Sequence, residues 1–458
     1  MSLLSKLGYC SGSITVALPQ YMIQTYIWFY YLTVLYMNAY WLAAATTIWA
    51  VYNAFNDPLF GYLSDRTRTK WGRRIPWIAV FSAPLALSTF LIFGPPGNAE
   101  VLGDLYLFTW LTAALLLYDT CYTIVVLNWT ALYPEMFTSN VERSQVSTIR
   151  QLFSVPGLLA GVAIPPLFAS TIGWPSVGLA VGLVAALFAL VSLTGSHESH
   201  EFQQPTLPPF KAMKHTLSNQ SFLAFVAYNF QVEYIIAVAS GALPFFADYV
   251  IHADIIPLFV ALFVVGIPAF ALWNRINVKR GPRTAAILSM AWLGLMPAGI
   301  LFVNDFWSAV VVLSIAGLGI GGFMILPDIL IAFTIDADEL KTGLRREGSY
   351  YGFNAFIMRF AMVAQSWTYA VLLSFSGFDE HLLLQPESAV VAIKLLMSLV
   401  PLIAILLAIF FISKYPYHGQ ALAQLQMQIS ELHIQKKEQS GSYLDCDTPC
   451  AQNSDSAP

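Results

Sequence analysis

The stretch NAFNDPLFGYLSDRTRTKWGRRIPW, residues 53–77, closes one apolar run and opens the next. Upstream, 39–62 is long and apolar enough to cross a hydrocarbon core of about 30 Å; downstream, 75–94 is too. Between them stand Arg66, Arg68, Lys70, Arg73 and Arg74, and inside the first run stands a carboxylate, Asp57. A basic turn between two such runs reads as a cytoplasmic loop joining two membrane-spanning helices, because positive loops are retained on the cytoplasmic side during insertion.

The same pattern extends outward over the chain. Of its 458 residues, 57% are hydrophobic and only 10% are charged, too little polar surface to cover a soluble fold of this size. Apolar runs predict twelve spans, at 12–36, 39–62, 75–94, 104–133, 147–170, 174–195, 221–250, 255–274, 284–303, 306–334, 349–376 and 388–413. The alternating segments of about ten residues that mark an outer-membrane barrel are absent, so the chain is expected to be an all-α integral membrane protein. In the twelve-span arrangement Lys6, the turn at 66–74, Arg143, Lys211, Lys214, the turn at 275–283, Lys341, Arg345, Arg346, Lys414, Lys436 and Lys437 fall on one side. The opposite loops carry acids, among them Glu100, Asp248, Asp305 and Asp379. Both termini are therefore expected in the cytoplasm. Span one follows Lys6 with no small-residue cleavage site, and is expected to stay as a helix.

A net charge of -4 offers no nucleic-acid reading. Cys10, Cys121, Cys446 and Cys450 give neither a disulfide framework nor a close set of metal ligands.

The longest polar interruption, 196–220, divides the spans six and six, giving an N-terminal lobe (1–195), a central cytoplasmic loop (196–220), a C-terminal lobe (221–414) and a cytoplasmic tail (415–458), partly disordered. Each half repeats a basic turn between its second and third spans, the internal repetition of a two-lobed transporter; the charge rule of insertion alone would also place two such turns. In the tail, Leu422, Leu425, Ile429 and Leu432 are spaced for an amphipathic helix at the membrane surface, and from about Gln439 the composition reads as disorder.

Ionisable groups at membrane depth are costly, so each is a functional candidate. They are Asp57, Asp119, Glu233, Asp328, Arg150, Arg359 and Lys394. Lys394 can snorkel outward, and Asp328, beside Pro327, can cap a broken helix. Asn53, Asn56 and Asp57 are three and four apart on one helical face. One carboxylate with two amide oxygens suits a sodium ion or a titrating proton, although the Asn-Asp-Pro run also suits a helix kink. Arg359 is the complementary charge, with Asp57, Glu233 or Asp119 as its partner. Tyr26 and Tyr122 lie near mid-span, where an aromatic ring either packs or faces a sugar.

NDPLFG (56–61), SDRTRTKWGRR (64–74) and Pro76-Trp77, with DADELKTGLRREG (336–348) and Tyr351-Gly352, resemble the glycoside-pentoside-hexuronide:cation symporters, the melibiose-permease branch of the major facilitator superfamily. Pro134, Glu142-Arg143 and KLGY (6–9) extend the resemblance over residues 6 to about 415. It implies the major facilitator fold, with two pseudo-repeated six-helix lobes, in a plasma membrane (a bacterial inner membrane). It implies a cation bound at Asp57 with Asn53, Asn56 and Thr123, the coupling ion being H+ or Na+ and no cofactor being needed. Position 53 is often an aspartate in relatives, and Asn53 shifts the expectation toward a proton. Arg359 stands where relatives carry a lysine linking cation and sugar. The two carboxylates that contact galactosides in relatives fall on Ala17 and Val126, so Arg150 or Gln151, Asn128, Trp129 and Glu233 are nominated for substrate beside Tyr26, Tyr122 and Arg359. Asp65, Arg66, Arg73 and Arg74 are expected to pair with Asp336, Asp338, Glu339 or Glu142 as a cytoplasmic gate; these charges would also serve topology alone.

The expected function is import of a sugar, glycoside or sugar-acid by a cation-coupled symporter working by alternating access, with a small-molecule substrate and membrane lipid as partners, no nucleic acid, and a monomeric state. The alternatives are a carrier of an amphiphile such as a lysolipid, and a transport-inactive membrane sensor. An enzyme is not expected, because no nucleophile-base pair stands out.

Overall fold

The computed structural model describes residues 3–137, 140–198, 218–343, 347–379, 381–382 and 384–446. Its helices are α1 (Leu3–Phe29, continued by a π-helical turn, Tyr30–Val34), α2 (Ala39–Arg66), α3 (Ile75–Phe93), α4 (Asp104–Met136), α5 (Asn140–Ile172) and α6 (Trp174–Leu193). The second half has α7 (Gln220–Tyr249), α8 (Ile255–Arg280), α9 (Pro282–Leu293 and Leu295–Ile300), α10 (Phe306–Thr342), α11 (Glu347–Phe375), α12 (Glu387–Met397 and Leu399–Ser413) and α13 (Gly419–Cys446).

Local chemistry sets several ends. Asn38, in an extended conformation, accepts the Tyr40 amide at 2.9 Å and starts α2. Asp305 accepts from the Trp307 and Ser308 amides at 2.9 and 3.1 Å in a capping box that starts α10, satisfying donors that a helix leaves orphaned. Gly343, with φ 72°, stops α10 in the left-handed conformation that glycine adopts without strain.

Ten of the described helical spans are long and apolar enough to cross a bilayer. Two of the long helices outside that set, α1 and α2, have 27 and 28 residues and owe their polarity to side chains such as Gln20, Gln24, Asn53 and Asp57, which face an internal cavity rather than lipid. Within the first half α1 packs on α5 and α6, α3 on α4 and α6, and α2 on α4. Within the second, α8 and α9 pack on α10, and α7 on α11 and α12. The halves meet through α1 against α7 and α2 against α11. The expected multi-pass, two-lobed helical membrane fold is thus what the chain forms.

Three local expectations change. The helix break at Pro327 is absent: α10 is continuous through it. The breaks fall instead at Gly294 in α9 and Ser398 in α12. The tail helix continues past Gln439 to Cys446, and Leu422 and Leu425 are buried, with Leu422 beside Gly281. Docking of its first turns on the protein meets the cost of nucleation, after which each added residue gains a hydrogen bond. Most of the central loop, including Lys211 and Lys214, lies outside the described residues.

Candidate transport site

Between the halves lies a cavity of about 1110 Å³. At the end that carries the acidic loops the halves are in contact. Trp28 packs edge-on against Tyr369 with ring centres 5.0 Å apart, Phe29 against Phe245 at 5.5 Å, and Thr46 Oγ1 lies 2.9 Å from Ser366 Oγ. Tyr36 and His381 stack across the same end at 4.5 Å. The cavity wall runs from the level of Asp119 to Tyr133 and Tyr351. Those two tyrosines lie near the basic-loop ends of α4 and α11, and the Asp119-to-Tyr133 step alone covers about 21 Å of helix.

Four charged groups stand in the wall among the described residues: Asp57, Asp119, Glu233 and Arg359. Arg359, on α11, reaches Asp57, on α2, with Nη2 3.2 Å from Oδ2; both side chains are partly open to the cavity. Thr123, on α4, donates to Asp57 Oδ1 at 3.0 Å. Among the three acids that sequence offered to Arg359, the structure thus pairs it with Asp57.

Asn53 and Asn56 behave differently from expectation. Both turn their amide nitrogens toward Asp119 rather than placing oxygens around Asp57: Asn56 Nδ2 donates to Oδ2 at 2.8 Å and Asn53 Nδ2 to Oδ1, where Trp49 Nε1 also donates at 3.0 Å. Asp119 lies one helical turn before Thr123 on α4, and is only 1% exposed. Helical spacing indicates which face of α2 these amides share; the residue across the interface that meets them is set by how α2 and α4 pack.

Of the side chains nominated for substrate, Tyr122, Glu233 and Arg359 line the cavity. The Tyr122 hydroxyl donates to Gln20 Oε1 at 2.7 Å, and Gln20 and Gln24 of α1 join the wall, which sequence reasoning passed over as ordinary polar residues in a span. Four nominations are corrected. Tyr26 is buried, donates to the Val162 carbonyl at 2.6 Å and packs on Trp174. Asn128 is buried, with Nδ2 on the Ile124 carbonyl at 2.8 Å. Trp129 is stacked on Tyr9 and donates to the Tyr9 carbonyl at 3.0 Å. The Arg150 guanidinium lies over the Trp129 ring, 4.4 Å from its centre. All four pack inside the first half, and none of them is among the side chains that line the cavity.

Some of the expected gate residues have partners inside the first half. Glu142 pairs with Lys6 at 3.2 Å, and the Lys6 ammonium holds the Glu142 carboxyl below the usual carboxylate range. Glu198, just after α6, accepts the Arg73 and Arg74 amides, both at 2.8 Å, and the Ile75 amide at 3.0 Å, so it closes the start of α3. This carboxylate was not singled out in the sequence, since its partners lie more than a hundred residues away. None of Arg66, Arg74, Asp336, Asp338 and Glu339 lacks a partner. The side chains of Asp65 and Arg143, and the gate-loop residues Arg345 and Arg346, lie outside the described part of the structure.

Comparison with known proteins agrees with this architecture. A family model described as MFS/sugar transport protein matches residues 8–419. The isoprimeverose transporter of Lactiplantibacillus pentosus is 23% identical, covering 81% of this chain and 80% of its own length. The sodium-dependent lysophosphatidylcholine symporter 1 of Mus musculus is 22% identical, covering 97% of this chain and 91% of its own. Among solved structures, the nucleoside transporter NupG superposes with a TM-score of 0.60 over 91% of this chain and 98% of its own, at 14% identity, a likeness of fold.

Proposed function

The chain belongs to the MFS/sugar transport protein family, and from that premise we propose that it is a cation-coupled symporter, driven by H+ or Na+, that imports a sugar, glycoside or sugar-acid by alternating access. One observation carries this reading: Asp57 of the first half and Arg359 of the second pair across the wall of the cavity between the halves.

The pair ties charge to conformation. A cation arriving among the α2 and α4 carboxylates competes with Arg359 for negative charge. The released guanidinium then offers its donors to substrate oxygens, with Glu233 and the Gln20 and Gln24 amides on neighbouring walls. Cation and substrate each raise the other's affinity, and linkage makes that gain reciprocal. Rocking of the halves then opens the contacts Trp28–Tyr369 and Thr46–Ser366 and closes the basic end. In this reading the basic loops and both termini face the cytoplasm, and the carrier works as a monomer without covalent chemistry.

The test is uptake of labelled sugars, glycosides and uronic acids into vesicles, with sodium and proton gradients imposed separately. Gradient-driven accumulation of one member is expected, and Asp57→Asn should fold yet lose accumulation. Undiminished uphill uptake in Asp57→Asn overturns the assignment.

A second reading rests on a separate apolar crevice of about 130 Å³ between the halves, walled by Tyr21, Phe259, Phe263, Phe323 and Met324. Tyr21 adjoins the Gln20 of the polar cavity in sequence, so a hydrocarbon chain in the crevice and a polar head in the cavity describe a carrier of an amphiphile. The lysophosphatidylcholine symporters among the relatives are in keeping with it. Uptake of a lysolipid, with no sugar moved under either gradient, would select this reading.

A further inference from the structure

Several contacts that close the acidic-loop end join neutral groups: Trp28 with Tyr369, Phe29 with Phe245, and Thr46 with Ser366. Their strength does not change across the pH range in which histidine takes up a proton. A further contact across that end is of another kind. His381, in the loop after α11, lies with Nδ1 3.8 Å from Glu100 Oε1. Its ring stacks on Tyr36 with centres 4.5 Å apart and planes 27° from parallel. Tyr36 and Glu100 belong to the first half and His381 to the second.

Both sides of this contact are built. Tyr36 has φ 57°, the left-handed conformation that a non-glycine residue enters at a cost. The turn around it is held by the Leu35 amide on the Tyr30 carbonyl at 3.1 Å and the Met37 amide on the Tyr31 carbonyl at 2.9 Å. The Ala99 amide donates to the Leu35 carbonyl at 2.8 Å, which fastens the short helix carrying Glu100 (Ala99–Leu102) to the same turn. Asn98 Nδ2 donates to the other carboxylate oxygen, Glu100 Oε2, at 3.2 Å. Opposite, the His381 amide donates to Asp379 Oδ1 at 3.0 Å, and Gln385 Nε2 donates to the Asp379 and Leu382 carbonyls at 2.6 and 2.8 Å. A ring and a carboxylate from one half thus stand against an imidazole from the other.

At 3.8 Å the contact between His381 and Glu100 is too long for a hydrogen bond, so it attracts through charge, when the imidazole is protonated. The Tyr36 ring adds to that preference, because an aromatic face attracts a cation. Among the described residues the titratable groups around His381 are Glu100 and Tyr36 across the gate and Asp379 on its own loop; Glu380, beside it in sequence, lies outside them. We propose that Tyr36, Glu100 and His381 form a pH-sensitive latch, which holds the acidic-loop end shut when His381 is protonated and lets it part more readily when His381 is neutral. The latch rests on the alternating-access reading, in which this end faces the outside, so that the pH of the outer medium sets how often the carrier opens to it. An exposed pair is weak and screened by salt, so it biases the equilibrium about two- to fivefold rather than locking it.

Thr46 is buried against Ser366, so a cysteine placed there reports opening of this end. Purified full-length protein carrying Thr46→Cys, in detergent with no gradient, is alkylated with a maleimide between about pH 5.5 and about pH 8, the range in which histidine titrates. Protein without that substitution supplies the background from the natural cysteines. Comparison with the same protein carrying His381→Gln cancels the pH dependence of the reagent and of other titrating groups. The two rates should match at the alkaline limit, and His381→Gln should react about two- to fivefold faster at the acid limit. Glu100→Gln should react faster there too, while His381→Lys, charged throughout this range, should react slowly at both limits. A ratio that does not change with pH overturns the latch, as does a His381→Lys protein that opens as readily as His381→Gln. So does a Thr46→Cys protein that never reacts, because that end would then never part. The expected pH pattern without gradient-driven uptake of any sugar upholds the latch and rejects the sugar-symport reading; uptake without the pH pattern does the reverse.

Discussion

Two tyrosine hydroxyls separate packing from recognition. Tyr26 and Tyr122 both lie at mid-span and both donate to an oxygen of the protein, but Tyr26 ends on a backbone carbonyl in a dry interface while Tyr122 reaches Gln20 Oε1 at 2.7 Å and the Val16 carbonyl at 3.1 Å, both in the cavity wall. Tyr26→Phe leaves the Val162 carbonyl without its donor, a loss of about 1 kcal/mol. It should lower the melting temperature and leave the KM for substrate unchanged. Tyr122→Phe frees Gln20 and should raise KM severalfold with little change in melting temperature; the reverse pattern would place the substrate beside Tyr26 of α1 rather than Tyr122 of α4. Sequence could not make this distinction, because both residues are aromatic, mid-span and amphipathic. Asp57, Thr123, Glu233 and Arg359 were legible, since charge at membrane depth and a family motif single them out. Asp119 was visible as a charge but not as the partner of Asn53 and Asn56. That contact depends on the relative rotation of α2 and α4, which no spacing along either helix contains.

At the scale of elements, close approach between helices does what apolar patterning cannot, since lipid chains are as apolar as the residues themselves. Gly182 of α6 faces the Ala86 backbone of α3, where an added Cβ would lie 2.7 Å from the carbonyl oxygen. Backbone cannot yield as a side-chain tip can, so Gly182→Leu should force α3 and α6 apart and cost roughly 1–3 kcal/mol, seen as a lower melting temperature and poorer yield. The cap of α10 gives a pH-dependent counterpart. The Ser308 hydroxyl, then the Ser308 and Trp307 amides, hold the Asp305 carboxyl below the usual carboxylate range. A carboxyl lowered by folding contributes stability at pH above its unfolded value, about 4, and loses it as pH falls through the folded value. Asp305→Asn should therefore lower the melting temperature near neutral pH and converge with the natural protein in acid, in a melting series run from neutral to acid pH. The helices themselves were legible from hydropathy because lipid requires continuous apolar runs. The interruptions at Gly294 and Ser398, and the continuity through Pro327, were not, because neighbouring helices decide whether a weakened backbone turn is supported.

For the whole molecule, the contacts between halves are concentrated at the acidic-loop end, and the cavity extends from there toward the basic-loop end. Alternating access requires that these contacts part in every cycle, whichever substrate is carried. Thr46 and Ser366 give the sharpest handle, because their hydroxyls lie 2.9 Å apart on α2 and α11, the helices that also carry Asp57 and Arg359. Cysteines at both positions, oxidised to a disulfide, should hold the halves together at that end. Net uptake should then fall to background and return on reduction, while each single cysteine variant keeps transporting. If oxidation formed the crosslink and uptake continued, the two halves would not separate there. Transport would then have to proceed by a path other than rocking about the central charge pair, even with Asp57 and Arg359 intact.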